Sequence, residues 1–480
     1  MEVSSKAQVV YDPLYGFIHL TPAEKEIVKS PFYQRLRWIK QLGFSFYVFP
    51  GAEHSRFGHS IGVMFNAHKI LQSCKRAVTD EELMDTKVKT KEKMYHQGVR
   101  MGALLHDLGA FCFSHTTEAA YIEFGDTTNV KGGKGLKDDH ENLGSFIIKN
   151  TDYPGGITHI LKKHGLDPQN ISDLVKGVDP SIMANQILHS EIDCDRMDYL
   201  LRDAHYTGLK YGSYDRDYLL YHFKPHRVGN HDILTIKANA LHCIEDFLMS
   251  RFSWYSQVIR SPRGAKYDAI AQRLCFYFLK KNLIYKYSDL LDMISTNPEK
   301  FWGFNDSYFM GIVHRTFMDG TLDKDPDIKD MADTLLFARG ARHAFCPELK
   351  TSLLNQDDPT ESERVKKKAQ QKVDEIEEVI KKKGKKSDWF IPDLPSKDII
   401  FVKSKKSLVG KGNSTNVLLE RDPVKVSFEN GEVKLLAEIE NSVISRLNNT
   451  NNYIPNVFMS ESTYELLLAE GVIQDNKGDV

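Results

Sequence analysis

Two histidines and two aspartates, drawn from three separated segments, set the chemistry to look for. His59 stands in EHSRFGHSIGV, the pair His106-Asp107 closes the apolar run MGALLHDLG, and Asp195 lies far downstream in EIDCDRMDYLLRD. Two imidazoles and two carboxylates make a mixed N/O ligand set for one divalent cation of hard-to-borderline character. No cysteine closes the set, so it does not read as structural zinc. It leaves coordination positions for water and phosphate oxygen, which metal-assisted hydrolysis requires. A lone His beside an Asp on an apolar helix is more often a hydrogen-bonded core pair. The order H…HD…D, with each outer member in its own polar signature, favours the metal site.

Further polar residues fall at helical spacing around these. After Ile192, Asp195, Tyr199 and Asp203 recur at i, i+4 and i+8 with Arg196 nearby, while Met197, Leu200, Leu201 and Ala204 are expected to pack inward. His106 and Asp107 diverge on a helix but can take one cation in the wedge between them, where the negative end of the dipole favours it. His115 and Glu118, one turn apart, pair an acid with an orienting carboxylate, although the same spacing also suits an ordinary surface pair.

The elements that must position these residues read as helices joined by short loops. Thr21-Pro22-Ala23-Glu24 supplies an N-cap, a first-turn proline and a capping-box glutamate, and predicts a helix running toward Trp38. Helical spacing recurs at Ile61–Leu71, Gly98–Leu108, Leu143–Ile148, Ile182–Leu188 and, broken near Ser261–Gly264, from Ala238 to Leu283. RVGNHDILTIKA predicts a hairpin through its Gly-Asn turn. The expected fold class is mainly α with a small mixed α/β C-terminal lobe. Residues 1–350 form the expected catalytic core, 351–388 a charged helical connector in which Lys and Glu alternate as ion pairs, and 389–480 the lobe, with β-prone DIIFVKSK and VKVSFENGEVKLL.

At 480 residues and 41% hydrophobic content the chain can bury a large core. A formal net charge of -1 gives no global field for nucleic acid or an anionic membrane, so any phosphate-binding charge must be local. Six cysteines without CxxC or zinc-like spacing read as reduced thiols, with Cys194 a buried neutral one. With no apolar leader and no apolar run of membrane-spanning length, a soluble, cytoplasmic protein is expected.

The stretch DPLYGFIHLTPAEKEIVKSPFYQRLRWIKQLGFSFYVFPGAEHSRFGHSIGV, followed in order by LLHDLG, FSHTTE and IDCDRMDYLLRD, resembles the HD-domain deoxynucleoside triphosphate triphosphohydrolases (dNTPases). The resemblance runs from about Tyr11 to Leu209 and fades beyond. It implies an HD helical fold with His59, His106, Asp107 and Asp195 as ligands of a divalent metal (Mn, Fe or Mg), and hydrolysis of dNTP to deoxynucleoside and triphosphate. His115, oriented by Glu118, would protonate the departing 5′-oxygen, and His140 would stand with it beside the scissile phosphate. Arg56, Arg196 and Arg251 would contact phosphate, Gln41 and Leu42 the deoxyribose, and Tyr199 and Asp203 the rest of the sugar pocket. An activating nucleotide at contacts within a homo-oligomer would meet Gln34 and Arg37. Lys29 replaces the guanine-reading aspartate there, which argues against guanine-specific activation. The family pattern HD-x-G-H meets Ala110 at its last position, which reads as an engineered or attenuated site. An HD phosphodiesterase or nucleotidase acting on another nucleotide, and a catalytically silent nucleotide sensor, are the alternative functions.

Overall fold

The computed structural model describes residues 8–74, 78–85, 90–127, 137–344, 346–355, 358–395, 399–400, 414–447 and 450–475. It is predominantly helical, with small sheets of two to four strands among the described residues. The part of DIIFVKSK beyond Ile400 lies outside the described residues.

The first helix, Pro22–Lys29, starts as its sequence requires: the Glu24 amide donates to Thr21 Oγ1 (3.3 Å) and the Thr21 amide to Glu24 Oε2 (2.8 Å). It does not continue to Trp38. Pro31 forces Ser30 into an extended conformation (φ -65°, ψ 145°), and the chain restarts as Pro31–Gln34 followed by a 3-10 turn, Arg35–Trp38. Glu24 is fully buried, and both of its oxygens accept from the Arg100 guanidinium at 2.7 Å. That bidentate pair fixes the first helix against Lys91–Leu105, the helix that delivers His106.

Helix Arg56–Ser73 lies between Lys91–Leu105 and Cys194–Thr207, and small residues let the backbones approach. A Cβ at Gly62 would sit 1.9 Å from Asp198 Oδ1, so glycine there is a packing requirement. The inward face of Cys194–Thr207 is not purely apolar. Met197 and Leu200 are buried, but so are Asp198, Arg202 and Asp203, while Leu201 and Ala204 are only half-buried. The helix is enclosed on more than one side, and its polar stripe meets partners: Arg202 pairs with Asp198 (2.8 Å) and with Asp12 (2.9 Å), which ends the first strand of the antiparallel pair Gln8–Asp12 and Gly16–Leu20.

The predicted hairpin forms from Phe223–Val228 and His231–Lys237. It is widened by Lys425–Ser427, which pairs parallel to His231–Lys237, and then by Val433–Leu435. Two three-stranded sheets are centred on Thr450–Tyr453 and Asn456–Ser460. One hydrophobic core includes the helical body together with Val424, Val426, Leu436 and Ile444. A second gathers Ala344, Leu354, Tyr453 and Leu467 around the Pro359–Lys383 helix, which buries Ala369, Val373 and Ile376. All six cysteines stand outside disulfides and are buried, and burial pushes the Cys194 thiol well up. Among the described residues no helix is long and apolar enough to cross a membrane.

Candidate active site

Helix Lys91–Leu105 ends where His106 caps it, and the chain turns through Asp107. Gly109 is obligatory at that turn, because a Cβ would lie 2.2 Å from the His140 carbonyl oxygen and 2.3 Å from the Gly144 amide. His59, one turn into its own helix, and Asp195, at the start of Cys194–Thr207, face the same point. His59 Nε2 lies 3.0 Å from Asp195 Oδ1 and 3.5 Å from Asp107 Oδ2. His106 Nε2 lies 3.7 and 3.3 Å from the same two oxygens.

The opposite nitrogens are committed elsewhere. His59 Nδ1–H donates to Asp198 Oδ2 (2.8 Å) and His106 Nδ1–H to the Ala103 carbonyl (2.8 Å). These bonds place a lone pair on each Nε2, as in metal-bound imidazoles held by a carboxylate or carbonyl. Both Nε2 atoms are buried and make no hydrogen bond. Ligand atoms of His59, His106 and Asp107 lie within 4.8 Å of one another. Burial opposes charge on His59, but the neighbouring Asp195 and Asp198 carboxylates push it up to about 9. The donor set fits a divalent metal, which would take the place of a proton on these groups.

Arg56 binds this centre rather than standing free: Nη1 donates to Asp107 Oδ2 (2.6 Å) and Nε to Ser114 Oγ (2.8 Å). Burial favours the neutral acid of Asp107, yet Arg56 and His106 hold it well below the usual carboxylate range. Next to it, Glu118 Oε2 accepts from His115 Nδ1 (2.6 Å), while Oε1 accepts from His140 Nδ1 (2.6 Å) and the His140 amide (2.8 Å). Burial opposes the charged His140 imidazole, but Glu118 raises it to about 9. The His115 side chain is 66% exposed, the more accessible of the pair.

The turn into His115 is strained. Phe113 (φ 52°) and Ser114 (φ 58°) both occupy the left-handed region. The strain is held by Asp306, whose two oxygens accept from the Phe113 (2.6 Å) and Lys40 (2.8 Å) amides, and by Ser114 Oγ donating to the Lys40 carbonyl (2.6 Å). Burial pushes the Asp306 carboxyl up to about 7.

A cavity of about 940 Å³ opens beside the centre, lined by Gln41, Leu42, Arg56, His115, Asp195, Tyr199 and Asp203, and on its far side by Arg260, Gln272 and the Phe390–Leu394 stretch. Tyr199 packs on Trp254 with ring centroids 4.7 Å apart. Gln41 Oε1 and Asp203 Oδ2 are buried without a hydrogen-bond partner. Other residues singled out from sequence lie off this wall. Arg196 pairs with Asp193, and Arg251 Nη1 donates to the Glu191 carbonyl (3.1 Å). Gln34 and Arg37 bond to each other (2.8 Å), with the guanidinium 3.5 Å over the Phe57 ring. Ala110 is 3% exposed, and its carbonyl accepts from Arg35 (2.9 Å). Sequence reasoning missed Asp198, His54 and Asp306. Asp198 carries a signal, one turn after Asp195 and hence in line with the ligand helix. Asp306 carries none.

An HD domain model matches residues 56–203, the span from Arg56 to Asp203. The chain is 30% identical over 273 residues to uncharacterized protein YwfO of Bacillus subtilis, covering 56% of this chain and 55% of that one. It is 31% identical over 309 residues to an uncharacterized protein of Methanocaldococcus jannaschii, covering 64% and 58%. Human deoxynucleoside triphosphate triphosphohydrolase SAMHD1 is 29% identical over 228 residues, covering 42% and 34%. The matched stretches thus span from a third to under two-thirds of these relatives' lengths. A hypothetical protein from Aquifex aeolicus shares the fold at TM-score 0.64 and 24% identity, covering 97% and 99% of the two chains. A phosphohydrolase from Bacteroides thetaiotaomicron does so at 0.61 and 19%, covering 95% and 99%. The four clustered histidine and aspartate side chains all lie within the stretch that matches the HD domain model, residues 56–203.

Proposed function

We propose that this protein hydrolyses deoxynucleoside triphosphates to deoxynucleoside and triphosphate. The observation that carries the reading is the pair of buried, unpartnered Nε2 atoms of His59 and His106, converging with Asp107 and Asp195 on the rim of a cavity of about 940 Å³. A divalent cation (Mn, Fe or Mg) held by His59, His106, Asp107 and Asp195 would polarise a phosphate oxygen and acidify a water. The protein's own groups do the rest. Arg56 brings positive charge to the cavity wall, His115 offers a proton to the departing 5′-oxygen, and Glu118 fixes the tautomer of His115 and His140. Leu42 packs beside the sugar, where it leaves a 2′-hydroxyl unsolvated. Asp203 presents an unpaired acceptor for the proton of a 3′-hydroxyl, whose oxygen can accept from the Gln41 side-chain amide. The likeness to SAMHD1 supports the same substrate class. Activation by a nucleotide near Gln34 and Arg37 and homo-oligomerisation belong to the proposal on the family resemblance alone, and a cytoplasmic location on the reduced-thiol cysteine pattern.

The test is chromatographic analysis of products from each dNTP and rNTP with Mn²⁺ or Mg²⁺. Deoxynucleoside plus triphosphate is the expected result. Release of monophosphate and pyrophosphate, or of orthophosphate, would replace this reading with the phosphodiesterase or nucleotidase one. Tight dNTP binding without turnover would favour the sensor, which Ala110 alone suggests.

A further inference from the structure

We propose that His54 is a positioning residue for sugar recognition, one that fixes Asp203 to accept the proton of the 3′-hydroxyl and Gln41 to donate its side-chain amide to the oxygen of the same hydroxyl. This rests on the dNTP reading of the cavity. His54 Nε2 lies 2.7 Å from Asp203 Oδ1, with side chains only 3% and 1% exposed. The bond occupies one carboxylate oxygen and leaves Oδ2 buried and unpaired. The carbonyl of the same residue accepts the Gln41 amide (3.0 Å), in a short antiparallel contact between residues 39–41 and 54–56 that also sets Arg56. One residue therefore holds both cavity groups, through its ring and through its backbone.

The ring is not there for packing alone. It stacks on Tyr206 (centroids 4.6 Å apart, 13° between planes), which a phenyl group would do as well. A phenyl group would also avoid the buried Nδ1 of His54, which has no hydrogen-bond partner. Burying an unpaired polar atom is unfavourable, so the imidazole is explained by its bond to Asp203. Without that bond the carboxylate is free to turn about its side-chain torsions, and Oδ2 loses its fixed direction.

Steady-state kinetics of wild type, His54→Phe and His54→Gln on a dNTP and on its 2′,3′-dideoxy counterpart test this. In His54→Phe the KM for dNTP should rise about tenfold, as expected for one misplaced hydrogen bond, with kcat nearly unchanged. The dideoxy substrate, which lacks the hydroxyl, should be unaffected, so discrimination between the two collapses. The amide of His54→Gln can donate to Asp203 and should restore most of it. Equal losses on both substrates, or unchanged discrimination in a folded His54→Phe protein, would overturn the inference while leaving the dNTP reading intact. If wild type hydrolyses neither nucleotide, both fall together.

Discussion

Asp198 touches no cation, yet its replacement by asparagine should weaken metal binding. The carboxylate accepts His59 Nδ1–H at 2.8 Å and so aims Nε2 at the centre. Asparagine keeps the volume and an acceptor oxygen but removes the charge that makes His59 a strong donor ligand. Loss of such a supporting group costs roughly 10–100-fold in metal affinity, about 1.4–2.7 kcal/mol. The same carboxylate pairs with buried Arg202 at 2.8 and 3.0 Å, which keeps Asp12 at 2.9 Å as its remaining partner. Breaking a buried pair outright costs about 3–5 kcal/mol, so stability should fall by less than that range. Equilibrium dialysis against Mn²⁺ reads the first effect and thermal denaturation of metal-free protein the second. A folded Asp198→Asn protein with wild-type Mn²⁺ affinity would refute the reasoning, since all four proposed ligands remain.

Gly109→Ala places a methyl 2.2 Å from the His140 carbonyl and should displace the His140–Asn150 helix, lowering turnover and destabilising by about 1–3 kcal/mol; a thermal melt and a rate unchanged from wild type would contradict that. Ala110→His should raise turnover by roughly 10²–10³-fold with little change in nucleotide affinity, and equal turnover would show that the position lies outside the chemistry. Leu42→Ala should raise rNTP activity relative to dNTP by a factor on the order of ten, measured as a ratio of kcat/KM values. The His140–Glu118 pair gives a pH signature. His140, raised to about 9, contributes stability that is fully present below its unfolded value near 6.5 and is lost as pH rises through 9. Glu118, whose carboxyl burial raises but His140 and His115 hold well below its usual value, contributes above about 4.5 and loses this in stronger acid. The stability gap between wild type and Glu118→Gln should therefore be widest between these limits and shrink above pH 9.

The convergence of His59, His106, Asp107 and Asp195 was legible because their types are rare in apolar helices and their order spans three segments. The helices bearing them were legible from period and caps, down to the Thr21–Glu24 box. What stayed hidden follows from tertiary contact. Ser30-Pro31 ends a helix that apolar spacing alone would continue. Asp306 lies about 190 residues from the Phe113 amide it holds, and nothing local marks it. The surroundings of the arginines were hidden for a similar reason: Arg56 is held by Asp107 and Ser114, whereas Arg196 pairs with its own N-cap, Asp193.

The parallel pairing of Ile236 with Val426 bears on how the chain is made. The strand His231–Lys237 buries Ile233, Leu234 and Ile236 in the finished protein, and Lys425–Ser427 covers its outer edge. During synthesis that covering strand emerges roughly 190 residues later, an interval on the order of 10–40 s at 5–20 residues per second. Throughout that interval the nascent protein carries an open, aliphatic strand edge, the feature most prone to pairing with another chain. Gln186, which holds both the Leu234 amide (2.7 Å) and the Glu420 carbonyl (3.0 Å), completes its bonding only at the end of the same wait. Yield of native protein should thus depend on translation speed and on holdase chaperones more than the stability of the finished fold would suggest.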